Sequence, residues 1–177
     1  MAAARATQPL HKAVEAGDIS QVRLMLQAGQ DVNYRDPGYY NYTPLMVAAT
    51  VRRNDIAELL LRYGANTTLV DSFQETAVFI AVFANSPEVL ETLLQHGSQV
   101  DAVVPVNGHP WTPLMFAVNT PAGLACAIVL LKYGASLRVS FPRGQTVIQR
   151  AMMLGYDDIV RLLQNEEIRR GELVILV

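Results

Sequence analysis

The feature that most constrains this chain is that it repeats. Gln8-Pro9-Leu10-His11-Lys12-Ala13 returns as Thr43-Pro44-Leu45-Met46-Val47-Ala48 and as Thr76-Ala77-Val78-Phe79-Ile80-Ala81. It returns again as Thr112-Pro113-Leu114-Met115-Phe116-Ala117 and as Thr146-Val147-Ile148-Gln149-Arg150-Ala151. The starts at 8, 43, 76, 112 and 146 step by 35, 33, 36 and 34 residues. A second pattern follows the first four copies: Leu26-Gln27-Ala28-Gly29, Leu61-Arg62-Tyr63-Gly64, Leu94-Gln95-His96-Gly97 and Leu131-Lys132-Tyr133-Gly134. Its glycines step by 35, 33 and 37 residues, so two interleaved patterns share one period. A period of roughly 20–50 residues marks a stacked repeat architecture.

Each part of the unit has a physical role. Thr before Pro-Leu is a helix start, because its hydroxyl accepts from an orphan amide and proline at the first helical position loses nothing. The small Ala that follows lets a second helix approach. That second helix carries apolar residues at helical spacing, as in Ile56, Leu59 and Leu60, or Val89, Leu90, Leu93 and Leu94. The Gly after it supplies a positive φ that ends the helix. The unit is therefore helix, turn, helix and an extended connection. One unit cannot bury its own apolar faces, whereas a stack of five can.

These residues resemble the ankyrin-repeat family, with its Thr-Pro-Leu-His turn and Gly-Ala-Asp-Val-Asn exit. The exits here read Gly29-Gln30-Asp31-Val32-Asn33, Gly64-Ala65-Asn66-Thr67-Thr68, Gly97-Ser98-Gln99-Val100-Asp101 and Gly134-Ala135-Ser136-Leu137-Arg138. The family histidine stands only as His11; Met46, Phe79, Met115 and Gln149 replace it. The glycine between the helices stands as Gly17 and Gly155, with Arg52, Ser86-Pro87 and Thr120-Pro121-Ala122-Gly123 in its place elsewhere. Gln8 fits an N-terminal cap, and the polar stretch Gln164-Asn165-Glu166-Glu167 fits a C-terminal one. The expectation is an all-α solenoid, one domain over residues 1–177. Its repeats fall at about 7–40, 41–73, 74–108, 109–143 and 144–168, with a tail over 169–177. The resemblance implies a recognition surface with no chemistry of its own.

Composition agrees. Hydrophobic residues make up 51% and charged residues 17%, enough apolar material for a large core and against overall disorder. A net charge of -2 argues against a basic nucleic-acid or membrane-binding face. The longest apolar runs, Ala77 to Ala84 and Leu124 to Leu131, have eight residues, against the roughly 18 or more that a membrane helix needs. No signal-peptide core follows Met1, so a cytoplasmic monomer is expected. The single cysteine, Cys126, excludes an internal disulfide or a thiolate zinc cluster. It falls on the core side of a second helix and reads as a buried structural thiol. His11, His96 and His109 have no metal-ligand spacing, and the acid pairs Asp157-Asp158 and Glu166-Glu167 point in different directions on a helix. No phosphate loop, nucleophile elbow or HExxH occurs. Neither an enzyme nor a cofactor is expected.

The expected partner is another protein. Seven of the 13 aromatics (Tyr34, Tyr39, Tyr40, Tyr42, Phe73, Trp111 and Phe141) fall in the connections. Tyr and Trp there are typical interface anchors. Two connections are longer than the others: Asp36-Pro37-Gly38-Tyr39-Tyr40-Asn41-Tyr42 and Val104-Pro105-Val106-Asn107-Gly108-His109-Pro110-Trp111. Asn-Gly is a strong hairpin-turn signal, while the flanking prolines are expected to limit strand pairing. The resemblance also implies that the residue before each small Ala faces the groove: Lys12, Val47, Ile80, Phe116 and Arg150. Thr50, Val51, Phe83, Asn119, Met153 and Leu154 follow on the same helices. The candidate set is Tyr39, Tyr40, Tyr42, Val47, Phe73, Ile80, Phe83, His109, Trp111, Phe116 and Arg150. Long fingers that could enter a cleft make an inhibitor or immunity-type protein the alternative to a scaffold or adaptor. The apolar end Leu173-Val174-Ile175-Leu176-Val177 is expected to cap the last repeat.

Overall fold

A computed structural model of the chain describes residues 9–171. The tail from Glu172 to Val177 and the cap position Gln8 lie outside the described residues. Helices come in pairs: α1 (Pro9–Glu15) with α2 (Ile19–Gln27), α3 (Pro44–Thr50) with α4 (Asn54–Arg62), α5 (Ala77–Phe83) with α6 (Pro87–Gln95). Then follow the strands β1 (Val104–Val106) and β2 (His109–Trp111), α7 (Pro113–Val118) with α8 (Leu124–Lys132), and α9 (Val147–Leu154) with α10 (Asp157–Arg170). Odd-numbered helices pack on one another in one layer, even-numbered helices in a second.

The helix starts work as the sequence implies. Thr43, Thr76, Thr112 and Thr146 all sit in extended backbone and accept the N–H three residues on. The residue at the family histidine position often answers: Gln149 Oε1 accepts the Thr146 N–H at 3.0 Å, and the Met46 sulfur accepts that of Thr43 at 3.3 Å. His11 Nε2 instead donates to the Tyr42 carbonyl at 2.8 Å, tying the first helix to the next connection. Neighbouring exits are laced together by side chains. Asn33 Oδ1 accepts from the Asn66 N–H at 2.7 Å, and the Asp101 carboxylate accepts from that of Ser136 at 3.1 and 3.2 Å.

The core lies between the layers and runs the length of the stack. Ala48, Ala81, Ala117 and Ala151 are fully buried, and Ala13 nearly so, which is why a small residue recurs there. Leu60, Leu90, Leu93, Leu130 and Leu163 fill the space from the second layer. Gly29, Gly64, Gly97 and Gly134 close their helices at φ between 81° and 86°.

Four details depart from the sequence reading. The left-handed position between α5 and α6 is Asn85 (φ 50°), not Ser86-Pro87. Asparagine tolerates that conformation and so stands in for glycine. The prolines of the long connection do not limit pairing: Pro105 faces Pro110 between the pairs Val104–Trp111 and Val106–His109. A two-residue turn makes Val106 and His109 a hydrogen-bonded pair, so the prolines fall at the non-bonded pair where no N–H is needed. Asn107 and Gly108 supply the two positive φ values of that turn. Phe141, read as a connection aromatic, is buried core. Finally, α10 has 14 residues where the other second helices have nine, and it runs past residue 168 to Arg170. Its added turn places Arg170 to donate to the Ala135 and Leu131 carbonyls at the end of α8 (2.8 and 3.3 Å). Glu166 holds Arg170 and Arg169, and their guanidinium groups, Arg169 first, keep its carboxyl down at about 2.

Candidate partner-binding site

The connections and the odd-numbered helices form one side of the stack, and aromatic side chains gather there. The connection after the first unit is wound around Asp36. Its carbonyl accepts the N–H groups of Tyr39 and Asn41, and its carboxylate accepts that of Gly38 at 2.8 Å. This winding forces Tyr40 and Asn41 to φ of 52° and 60°. A bulky residue is strained there, a cost usually borne where function requires it. Tyr40 is thrown outward, 62% exposed, onto Phe73 of the next connection (centroids 5.5 Å apart). Two further bonds fix the connections to each other: Ser72 N–H to the Tyr40 carbonyl, and Asn41 Nδ2–H to Ser72 Oγ, both 2.9 Å.

Tyr40, Tyr42 and Phe73 meet Thr50, Ile80 and Phe83 of α3 and α5 around a niche of about 320 Å³, with Glu75 and Ala84 completing its wall. Phe83 is 67% exposed and Phe73 56%. The aromatic chain continues along the helices. Phe83 meets Phe116 at 5.5 Å, and Phe116 meets Trp111 of the hairpin at 6.2 Å. Trp111 stands edge-on to Phe141 at 5.3 Å, and the Arg150 guanidinium lies 5.4 Å from the same ring. A second concavity of about 510 Å³ opens there between Trp111, Phe141, Arg150 and Met153.

The structure thus brings nine of the eleven sequence candidates together: Tyr39, Tyr40, Tyr42, Phe73, Ile80, Phe83, Trp111, Phe116 and Arg150. Their exposure divides them. Val47 is corrected: at 1% exposure it is part of the buried core and offers no surface. Ile80 is 3% exposed and contributes only to the floor of the niche. Tyr39 is half-buried, edge-on to Tyr42 at 5.3 Å and packed against the core. Burial pushes the hydroxyls of both tyrosines up, that of Tyr42 to about 12, with the carboxylates of Asp71 and Glu75 adding to the burial effect. Arg150 is half-buried and held by Asn119 Oδ1 at 2.8 Å. His109 is exposed on β2, two residues before Trp111, and has no ring contact among the described residues. Glu75 was missed by sequence reasoning. Its place just before the cap Thr76, in the aromatic-bearing connection, is the signal that could have found it.

The profile of ankyrin repeats, in three copies, matches residues 10–104, more than half of the chain. The chain belongs to the ankyrin-repeat family. Ankyrin repeat and SOCS box protein 6 of Homo sapiens is 30% identical over 163 residues, which is 92% of this chain and 37% of that protein. An ankyrin repeat protein of Fowlpox virus is 30% identical over 85% of this chain and 45% of its own length. The glycerophosphocholine phosphodiesterase of Schizosaccharomyces pombe is 32% identical over 84% of this chain, but only 13% of that enzyme is matched. The ankyrin chain therefore spans less than half the length of each of these relatives. Ankyrin repeats are a protein–protein interaction module, generally without catalysis of their own. No helix among the described residues is long and apolar enough to cross a membrane.

Proposed function

We propose that this chain is a single domain of five ankyrin repeats that binds one protein partner through the aromatic side of the stack. One observation carries the reading. Tyr40, Phe73 and Phe83, each more than half exposed, line a common niche and continue through Phe116 to the hairpin. Clustered exposed aromatics on a monomer mark an interaction site, and aromatic anchors supply most of the energy of such sites. The relatives fit a scaffold or adaptor: in each of them the matched repeats are a minor part of a longer protein.

A photo-crosslinking amino acid tests the face. Placed at Phe83 it should capture the partner, while at Ile128, exposed on the second layer, it should not. The reverse pattern would move the interface to the even-numbered helices. The second reading, an inhibitor or immunity-type protein, is favoured by the exposed hairpin turn at Asn107-Gly108, which is shaped to enter a cleft. Loss of a partner enzyme's activity on stoichiometric mixing selects the inhibitor; a ternary complex selects the adaptor.

A further inference from the structure

The two concavities of the aromatic side differ in charge. At the far one the chain supplies its own cation: Arg150 lies 5.4 Å from the Phe141 ring centroid, with Trp111 closing the corner. The niche between the first two inter-repeat connections has more rings and carries acid. Glu75 stands in its wall, and Asp71 is fully buried close enough to Tyr42 to raise its hydroxyl. Among the described residues no lysine or arginine lies over Tyr40, Tyr42, Phe73 or Phe83. No ion pair among them reaches Glu75 or Asp71. Asp71 Oδ1 accepts the N–H groups of Phe73 and Glu75 at 2.8 Å each, while Oδ2 is buried without a hydrogen-bond partner. Burial and the Asp71 charge push the Glu75 carboxyl up, as expected of a half-buried acid with no cation to offset it.

We propose that this niche recognises an arginine side chain of the protein partner. The argument is charge complementarity on an aromatic frame. A guanidinium stacks flat on Tyr and Phe rings, and its fork of donors can reach a carboxylate at the same time. Its weak hydration makes the transfer from water less costly than for the compact lysine ammonium. A purely apolar anchor would leave Glu75 desolvated with nothing in exchange. The Arg150–Phe141 contact shows the same pairing in use within this chain, further along the same side. This inference rests on the aromatic side being the partner face.

The test is a titration followed by methyl and aromatic NMR, with N-acetyl-arginine methylamide as the probe. The lysine, trimethyllysine and citrulline counterparts serve as comparators; citrulline keeps the shape and loses the charge. Saturable shifts at Ile80 and Phe83 are expected for the arginine probe, with a dissociation constant on the order of millimolar. The three comparators should bind at least fivefold more weakly. Glu75→Gln should weaken the arginine probe at least fivefold without lowering the melting temperature, since no hydrogen bond or ion pair among the described residues uses that side chain and its buried charge is disfavoured beside Asp71. Phe83→Ala, at a surface position, should do the same. No saturable shift, equal binding of citrulline or lysine, tighter binding of trimethyllysine, or indifference to Glu75→Gln each overturns the proposal. Such a failure removes the arginine assignment alone. The partner face itself fails separately, if crosslinking captures the partner at Ile128 and not at Phe83.

Discussion

Cys126 is fully buried, with its thiol 3.6 Å from Asn85 Oδ1, and burial pushes that thiol up to about 11. A thiol reagent at neutral pH should therefore leave the native chain unmodified and label it fully in denaturant; fast native labelling would contradict the packing. Tyr42 gives a pH test. Its hydroxyl is raised from 10.0 to about 12, chiefly by burial, so the folded state holds that proton more tightly than the unfolded chain does. The stability tied to the neutral phenol is full below pH 10 and is lost as pH rises through about 12. A phenolate absorbance titration of the native chain should therefore still show Tyr42 ionising as pH approaches about 12. A titration already complete near pH 10 would count against it. Tyr39 and Tyr40 are neighbours with opposite roles. Tyr39→Ala should cost about 1–3 kcal/mol of stability, a clear drop in melting temperature. Tyr40→Ala should cost less than half as much, because it removes a largely exposed ring while alanine keeps the Cβ and with it the same left-handed backbone cost. Equal melting temperatures for the two variants would show that the connection does not fold as described. Sequence reasoning placed both tyrosines in the site and could not separate them. Which of two adjacent tyrosines points inward depends on the left-handed turn around Asp36, and no periodicity records that.

The elements themselves were legible. Thr-Pro at a helix start, Ala at the close approach and Gly at the exit each have one local physical cause, and each recurred in register. The departures arose where a local rule met a partner in space. Pro105 and Pro110 pair because they share the one register position that needs no N–H. The turn between α7 and α8 shows the same limit. The extra residue there leaves Gly123 against the Ala117 backbone, where an added Cβ would stand 1.8 Å from the carbonyl oxygen. Its φ of -76° suits any residue, so contact alone requires glycine. Gly123→Ala should therefore destabilise the chain by about 1–3 kcal/mol, as overpacking does. Gly97→Ala meets nothing within 4 Å and should cost only the left-handed penalty of roughly 1–2 kcal/mol. If chemical denaturation shows no loss for Gly123→Ala, the α7–α8 turn is wrongly placed.

At the scale of the whole molecule, stacking turns the five described helix pairs into one continuous core and leaves exposed aromatics of the connections along one side of it. The sequence held the inventory of that surface, aromatics in the connections and apolar residues on the first helices. It did not hold the sorting of Val47 and Phe141 into the core, nor the union of Glu75 with Tyr40, Phe73 and Phe83. Those groupings join residues from three elements, and only the stack brings them together. The central claim is that this exposed aromatic group binds a protein. Its most direct test is the dissociation constant of the complex with the partner identified by crosslinking, measured for the natural chain and for Tyr40→Ala/Phe73→Ala/Phe83→Ala. Anchors of this kind cost ~2–4 kcal/mol each on truncation, so the triple variant should bind at least about a hundredfold more weakly. Its circular dichroism should be unchanged. A triple variant that folds normally and binds as tightly as the natural chain would contradict the account.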